Sequence, residues 1–333
     1  MNRIGEKTVT FDKQPRIITS YTIVGPLEGL GPHALTFQEI MPDISLGQDT
    51  PEKTERLILE MAIEKTLQSH NLKAEDIQFL IAGDLLNQIG TSAFSARGYS
   101  IPFLGIYGAC STFCQALGLS CMLIQGEFAQ KVLIGTASHY QTAERQFRYP
   151  IELNIQHVAT NQHTVTGGAS AVISVDGEGP RIIDATFGSI TDYGLKDAND
   201  LGSAMAPAAF STLKQHLTDT GRGLDYYDVI LTGDLGIQGT KMLKLLLEQE
   251  NYSGLERLED AGAQIYGTNQ QVGAGGSGSA CVAVMTLGYL LNKLNSGKVK
   301  KALVIATGAM LSSLSVLQGD SIPCVAHAIS IEG

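Results

Sequence analysis

Residues 102–120, PFLGIYGACSTFCQALGLS, run from an apolar stretch through two glycines to a cysteine and then directly into a helical pattern. An apolar run that ends in glycine and leads at once into a helix is typical of the strand-to-helix turns of α/β proteins. Cys110 lies at this turn, where the free amides and partial positive charge of a helix N-terminus are expected to lower the pKa of its thiol. Two interpretations of Cys110 follow: a nucleophile, or a residue that now only lines a pocket.

The same units occur twice along the chain. The run DIQFLIAGDL (residues 76–85) matches DVILTGDL (residues 228–235), which makes Asp84 and Asp234 counterparts. The helix pattern and strand after Cys110 match those after Cys281 in the same way. Helices are predicted over residues 51–70, 110–125, 203–218 and 277–294.

This alternation of strands and helices predicts an α/β protein with two similar halves, residues 1–178 and 179–333. Its strands should be largely parallel, with right-handed crossovers and helices on their faces. Ligands of such sheets bind beyond the carboxyl ends of the strands. The loops that follow these strands are therefore expected to meet at one site.

The composition excludes several classes of protein. The 333 residues are 44% hydrophobic and 17% charged, which is typical of a compact globular chain and not of a disordered one. The formal net charge of -10, without a basic cluster, argues against a nucleic-acid partner. No apolar run approaches the ~20 residues of a membrane-spanning helix, and the first residues carry no secretory signal.

The five cysteines form an odd set without CxxC or Cys/His ligand spacing. Neither disulfides nor structural zinc are expected, and a reducing compartment is favoured. We expect no resident metal and no cofactor.

Four segments carry a resemblance to a known superfamily: LILEMAIEKTLQSHNLKAEDIQFLIAGD (57–84), KVLIGTASHY (131–140), TVTGGASAVISV (164–175) and GAGGSGSACVAVM (273–285). Together with GACSTFCQAL they resemble the thiolase superfamily, in its branch of ketoacyl synthase III and HMG-CoA synthase, over nearly the whole chain. The resemblance implies a duplicated five-layer αβαβα fold with two pseudo-two-fold related halves. It also places Cys110 on the catalytic cysteine of that superfamily.

The segment ITSYTIVGPLEGLGPHALTFQ (18–38) and the chain length carry a fuller resemblance, to a thiolase-like family of sporulation proteins from spore-forming bacteria. This resemblance implies a protein that binds dipicolinic acid, free or as its calcium complex. It implies that the protein aids uptake of this ligand into the developing spore, together with integral membrane proteins of the same operon. A homodimer at the cytoplasmic side of the inner forespore membrane, peripherally attached, is expected on the same ground.

The proton-transferring partners of a condensing enzyme are missing from this sequence. Such enzymes need a base for the thiol and donors for the oxyanion. The superfamily histidine falls on Gly233, beside Asp234, and its second partner falls near Ala274 or Gly275. An aspartate beside a thiolate opposes ionisation by like-charge repulsion. Asn269, the amide nearest to the second position, is expected to be a loop residue.

We therefore predict a non-catalytic protein in which Cys110 keeps a vestigial nucleophile position. The alternative hypothesis is an acyltransferase or ketoacyl synthase that uses Cys110 with His139 or His163 as helper. The predicted ligand-binding residues are Cys110, Ser111, His139, His163, Asp234, Gly275 and Gly276.

Several other polar residues have predicted roles. The glycine-rich turns at 105–108 and 273–278 could each hold a ligand carboxylate through exposed amides. Asp84 and Asp234 are expected to cap the next turn or helix more readily than to bind a ligand. The candidate carboxylate partners are Arg97, Arg145 and Arg148. Among the remaining histidines, His157 is a further site candidate. His33, His70 and His216 are expected at the surface or in caps, and His327 is expected in the core or at the edge of the final strand.

Overall fold

The structure is a computed structural model that describes residues 2–147 and 158–333. Within these residues the strands are β1 (Arg3–Ile4), β2 (Thr8–Thr10), β3 (Arg16–Val24), β4 (Glu39–Ile40), β5 (Phe79–Asp84), β6 (Phe103–Gly105), β7 (Lys131–Ser138), β8 (His163–Thr164), β9 (Gly167–Ser174), β10 (Arg181–Phe187), β11 (Val229–Gly233), β12 (Leu258–Asp260), β13 (Gly276–Ser277), β14 (Lys301–Ala309) and β15 (Cys324–Glu332). The α-helices are α1 (Pro51–Ser69), α2 (Gly90–Ala96), α3 (Thr112–Gln125), α4 (Tyr140–Phe147), α5 (Leu201–Thr220), α6 (Gly236–Gln249), α7 (Ala261–Ile265), α8 (Ser279–Val284), α9 (Leu291–Asn295) and α10 (Ser313–Leu317).

The central sheet consists of two half-sheets with the same strand order. The first runs β3-β9-β7-β5-β6 and the second β10-β15-β14-β11-β12. In each half three neighbouring strands are parallel, and the next strand, β9 or β15, is antiparallel. The half-sheets meet where Arg16 pairs with Arg181. The predicted α/β class is confirmed.

The two half-sheets and the helices packed on them form five layers. Helices α3 and α8 lie between them and contact strands of both. Helices α1 and α2 pack on the outer side of the first half-sheet, and α5 and α6 on that of the second. All six residues of α8 are buried, as expected for a helix with sheets on both sides. The αβαβα arrangement implied by the thiolase resemblance is thus present.

The two halves of the sequence are not separate in space. Strand β2, at the start of the chain, pairs with β10 of the second half. The division at residues 178 and 179 stays a prediction.

The predicted helices form with local differences. Thr50 caps α1 by accepting a hydrogen bond from the Lys53 amide, and Pro51 occupies the first helical position, as predicted. The helix predicted from Cys110 begins as a 3-10 turn, Ala109–Ser111, ahead of α3. The helix predicted over 277–294 contains a π-helical turn, Met285–Leu290, between α8 and α9.

None of the helices in the described part of the chain is long and apolar enough to span a membrane.

Candidate functional site

A cavity lies beyond the carboxyl ends of the parallel strands, with Cys110 in its wall. The cavity has a volume of about 90 Å³. Its lining is mainly apolar and comprises Leu85, Ala109, Cys110, Ala143, Glu144, Phe147, Gln162, Thr164, Ala198, Asn199, Leu201, Met205, Ser277, Gly278, Ala309 and Leu311. Both halves contribute, so the site forms only when the half-sheets are packed together.

The turn that presents Cys110 is tightly held. Ala109 adopts a left-handed backbone conformation with φ of 49°, which is uncommon for a residue with a side chain. The Ser111 hydroxyl donates to the Gly108 carbonyl at 2.7 Å. Gly308 of β14 lies against this turn, and a Cβ there would stand 2.1 Å from the Gly108 carbonyl oxygen. Glycine at 308 is therefore required for the close approach of β14 to the cysteine turn.

The pKa of the Cys110 thiol is raised, and the expected lowering was wrong. Burial is the largest cause, and the nearby Asp234 carboxylate raises the pKa further. The Gly278 amide acts in the opposite direction without overcoming burial. The partial charge of a helix N-terminus is too small to offset desolvation of a thiolate here.

Asp234 is a buried carboxyl group that does not cap a helix. Its backbone has φ of 70°, and neither carboxylate oxygen has a hydrogen-bond partner among residues 2–147 and 158–333. Burial raises its pKa well above the usual range, and the neighbouring Asp260 adds to the rise. The capping role that we predicted for Asp234 was wrong.

Asp260 performs that capping role instead. Its Oδ1 accepts hydrogen bonds at 2.8 Å from the amides of Gly236, at the start of α6, and of Ala263, in α7. Its Oδ2 accepts from the Thr232 hydroxyl at 2.7 Å. By contrast Asp84, the counterpart of Asp234, accepts from the amides of Leu86 at 2.9 Å and Ser92 at 2.7 Å, so its predicted capping role is confirmed.

Two of the positions named for the missing partners of a condensing enzyme, Gly233 and Gly275, leave no space for a side chain. A Cβ at Gly233 would lie 2.6 Å from Cβ of Val282 in α8. Gly275 has φ of 111°, and a Cβ there would lie 2.4 Å from the Gly262 carbonyl oxygen. This close packing explains the glycine at positions 233 and 275, because a side chain at either position would require its surroundings to shift.

His139 is buried and uses both ring nitrogens. Its Nδ1 accepts a hydrogen bond from the Gln141 amide at 3.2 Å, so Nε2 carries the proton and donates to the Ile44 carbonyl at 2.9 Å. Burial lowers its pKa, which favours the neutral ring. His163 stacks on Tyr140 with ring centroids 3.9 Å apart. Neither histidine lines the cavity, and their proposed ligand or helper roles stay predictions.

The remaining predicted ligand residues lie behind or beside the lining. Ser111 is fully buried and bonded to its own turn. The Gly275 carbonyl accepts from the His163 amide at 2.8 Å, and Gly276 pairs with His163 in the β8–β13 ladder. Ser277 and Gly278, the next residues, line the cavity.

Backbone amides of both glycine-rich turns already donate hydrogen bonds within the protein. The Gly108 amide donates to the Thr112 hydroxyl, and the Ala274 amide donates to the Asn161 carbonyl. They do not offer the two rows of open amides that we expected for two carboxylates.

The candidate arginines lie outside the lining where the structure describes them. Arg145 pairs with Glu52 at the surface, and Arg97 lies over the Phe94 ring. Arg148 and His157 fall outside the described residues.

Other histidines differ in part from expectation. His216, expected at the surface or in a cap, is fully buried and hydrogen-bonded to Thr186 at 2.7 Å and Tyr227 at 2.6 Å. His327 lies in the core strand β15, as predicted, and His70 ends α1 as its C-cap.

Sequence reasoning missed the polar residues of the cavity wall. These are Glu144, Gln162, Thr164, Asn199 and Ser277. Thr164 and Ser277 occur in the segments that carry the superfamily resemblance, but nothing local indicated that they are neighbours. Within the described ranges, no group of three or more His, Cys, Asp or Glu side chains could hold a metal ion.

Comparisons with known proteins give the family. The family model described as Stage V sporulation protein AD matches residues 5–332. Stage V sporulation protein AD of Bacillus subtilis (strain 168) is 42% identical over 332 residues, which covers 100% of this chain and 98% of that protein.

Among solved structures, 3-oxoacyl-(acyl carrier protein) synthase III of Xanthomonas oryzae pv. oryzae has a TM-score of 0.61 at 12% identity, covering 98% of this chain and 100% of that one. Human mitochondrial 3-ketoacyl-CoA thiolase has a TM-score of 0.59 at 12% identity, covering 96% of this chain and 98% of that one. At such identities the similarity shows the fold alone, and that fold is thiolase-like. The chain therefore belongs to the Stage V sporulation protein AD family, as a sporulation protein with a thiolase-like fold.

Proposed function

We propose that the protein binds dipicolinic acid, as its calcium complex, in the cavity beside Cys110, and that it aids uptake of this ligand into the developing spore without transforming it. The observation that carries the proposal is a thiol in the cavity wall whose pKa is raised, at a site where Gly233 occupies the histidine position of the superfamily. Gly233 has no space for a histidine, and Asp234 raises the pKa of the thiol. Such a site favours holding a ligand over acyl transfer.

The lining supports the calcium complex over the free dianion. Dipicolinate is a flat pyridine ring with two carboxylates, and a free dianion needs cationic partners when it leaves water. The described lining contains no Lys, Arg or His and contains one carboxylate side chain, Glu144. A ligand whose charge is neutralised by calcium, with its ring against apolar walls, suits these surroundings better.

The alternative, acyl transfer through Cys110, is favoured by one observation, the position of that thiol in the cavity wall. The two hypotheses differ in what Cys110→Ala does. Loss of the sulfur should leave dipicolinate binding within about threefold of wild type, since a lining thiol contributes mainly packing.

Isothermal titration calorimetry of the full chain with dipicolinate and calcium tests the proposal. We expect saturable binding, whereas benzene-1,3-dicarboxylate, which lacks the chelating ring nitrogen, should bind at least about tenfold more weakly. Ala198→Trp, at the half-buried edge of the cavity, should block binding, and Ser253→Trp, at an exposed position outside the lining, is the matched control. No heat of binding from wild type, or binding unaffected by Ala198→Trp, would contradict the proposal.

We also propose that the protein forms a homodimer through β6. This strand is the edge of the first half-sheet, and edge strands pair readily with a second chain. Leu104 in β6, Phe94 and Tyr107 expose apolar surface nearby. Light scattering after gel filtration should give a dimer for wild type and a monomer for Leu104→Lys. A monomeric wild type would overturn this part.

We further propose that the protein attaches peripherally to the inner forespore membrane, through integral membrane proteins of the same operon. Flotation of membranes from sporulating cells should carry the protein with them, and deletion of those membrane proteins should leave it in the soluble fraction. Flotation that persists after the deletion would show that these proteins are not the anchor.

A further inference from the structure

Helix α4 forms part of the cavity wall, to which it contributes Ala143, Glu144 and Phe147. It packs mainly against α1 and β8, whereas α2 packs against α1, β5, β6 and β7. The ion pair between Arg145 of α4 and Glu52 of α1 is exposed to solvent, and such pairs contribute little. The buried contacts of α4 therefore decide how firmly this wall is held.

Glu55 makes a buried contact between α1 and α4. Its side chain is fully buried and is hydrogen-bonded to the hydroxyls of Thr142 in α4 and of Thr91 in α2, the latter at 3.1 Å. None of the ion pairs among residues 2–147 and 158–333 involves Glu55. A buried carboxylate without a cationic partner is unfavourable, so these surroundings favour a Glu55 that carries a proton.

The hydroxyl of Thr142 points to the same protonation state. Its oxygen contacts Oε2 of Glu55 and also lies 2.8 Å from the carbonyl oxygen of His139. A hydroxyl has one proton and can donate it to only one of these two acceptors. Both contacts are satisfied together only when Glu55 carries a proton and donates it to Thr142, which then donates to the carbonyl.

The charged surroundings offer no counterion for an ionised Glu55. The ionisable side chains on the elements packed around it are Glu52 and Arg56 on α1, Asp84 on β5, His139 after β7, and Glu144 and Arg145 on α4. Arg145 pairs with Glu52, Arg56 lies over the Phe94 ring, and burial lowers the pKa of His139, which favours its neutral form. Burial raises the pKa of Glu55 to about 8, and the Asp84 carboxylate adds to the rise.

We propose that Glu55 is a proton-dependent latch on α4: with its proton it holds α4 against α1, and when the proton passes to water α4 detaches and the cavity wall loosens. An ionised carboxylate needs hydration that the closed packing does not give. Because α2 packs on four elements, α4 is the helix that gives way. The latch goes beyond the proposed function, since it makes closure of the cavity depend on pH whatever the cavity holds.

The latch is firm in acid and loosens as the pH rises. With α4 in place the pKa of Glu55 is about 8, whereas a detached and hydrated Glu55 returns to its ordinary pKa of 4.5. Between these two values the detached state binds fewer protons than the closed state. Detachment therefore becomes more favourable by about tenfold per pH unit in this range.

Hydrogen–deuterium exchange of the full chain at pH 6, 7 and 8 tests the latch. At labelling times before the core strand β14 exchanges, and after division by the intrinsic rate at each pH, we expect the protection of α4 to fall by about three- to tenfold per pH unit. Glu55→Gln, which is neutral at every pH and keeps a donor and an acceptor, should show constant protection. Glu52→Gln, which removes the exposed ion pair to α4, should keep the wild-type pH dependence.

Constant protection of α4 in wild type, or the same fall in Glu55→Gln, would overturn the latch. An equal fall in α2 would also overturn it, since the two helices would then open together. If melting curves show that Glu55→Gln is unfolded, Thr142→Val decides. It should lower the protection of α4 at pH 6 by at least about threefold and leave α2 unchanged, and wild-type protection would refute the proposal. No ligand is needed, so the latch and the proposed function can fail separately.

Discussion

Glu55 is a buried carboxyl group at the contact of three helices that support the cavity. It lies on α1 and accepts hydrogen bonds from the hydroxyls of Thr91 in α2, at 3.1 Å, and Thr142 in α4. Helix α4 contributes Ala143, Glu144 and Phe147 to the cavity lining. Burial raises the pKa of Glu55 to about 8, the Asp84 carboxylate adds to the rise, and the two hydroxyls oppose it.

This pKa predicts the sign and size of a pH effect on stability. Between about 4.5 and 8 the folded protein keeps the Glu55 proton while the unfolded chain has released it, so the free energy of unfolding falls as the pH rises. The slope is about 1.4 kcal/mol per pH unit, and it vanishes below and above this range. Glu55→Gln removes the titration. Its advantage over wild type should grow by about 3–4 kcal/mol between pH 5 and pH 8.

Urea unfolding followed by circular dichroism at pH 5, 6, 7 and 8 measures this difference. Glu64→Gln, at an exposed carboxylate of the same helix, is the matched control and should follow wild type at every pH. If the unfolding free energies of Glu55→Gln and wild type run parallel from pH 5 to pH 8, the buried carboxyl group does not titrate as described.

Three further predictions concern the site. Iodoacetamide should label Cys110 at pH 8 at least about tenfold more slowly than free cysteine, because burial and Asp234 raise the pKa of the thiol; peptide mass mapping gives the rate. Gly233→His should lower the free energy of unfolding by about 1–3 kcal/mol and should produce no acyl-CoA turnover, since its Cβ would meet Val282. Asp260→Ala should destabilise the protein by about 1–3 kcal/mol in urea unfolding, because it removes the acceptor for the first amide of α6.

Each of these has a control in the same chain. Cys110→Ala identifies the labelled peptide, and labelling of Cys110 at the rate of free cysteine would contradict the raised pKa of its thiol. Gly90→His introduces the same side chain where nothing lies within 4 Å of the new Cβ. Asp225→Ala removes an exposed carboxylate. If Gly233→His is as stable as its control, close packing at residue 233 does not stabilise the protein. If Asp260→Ala is as stable as its control, capping by Asp260 does not stabilise it.

The strand and helix units were predictable because their signals are local. The Thr50 cap, the apolar runs that end at Asp84 and near Gly233, and the glycine before Cys110 each act within a few residues. The repetition of these units gave the two half-sheets. It gave no indication that β2 would pair with β10, since that contact joins distant parts of the chain.

The chemistry of the site was less predictable because it depends on contacts between distant segments. A carboxylate beside a strand end could cap α6 from Asp234 or from Asp260, and only the packing of β12 beside β11 selects Asp260. Thr164 and Ser277 lie side by side in the cavity lining because β8 pairs with β13, which joins His163 to Gly276 across more than a third of the chain. The pKa of Cys110 follows from burial, which no sequence pattern measures.

The most direct test of a cavity that holds its ligand unchanged is a time course of intact mass for the purified protein with acyl-CoA. We expect the mass to stay that of the unmodified chain and no free CoA to accumulate. A thioester that forms on Cys110, turns over with release of CoA, and disappears in Cys110→Ser would contradict it.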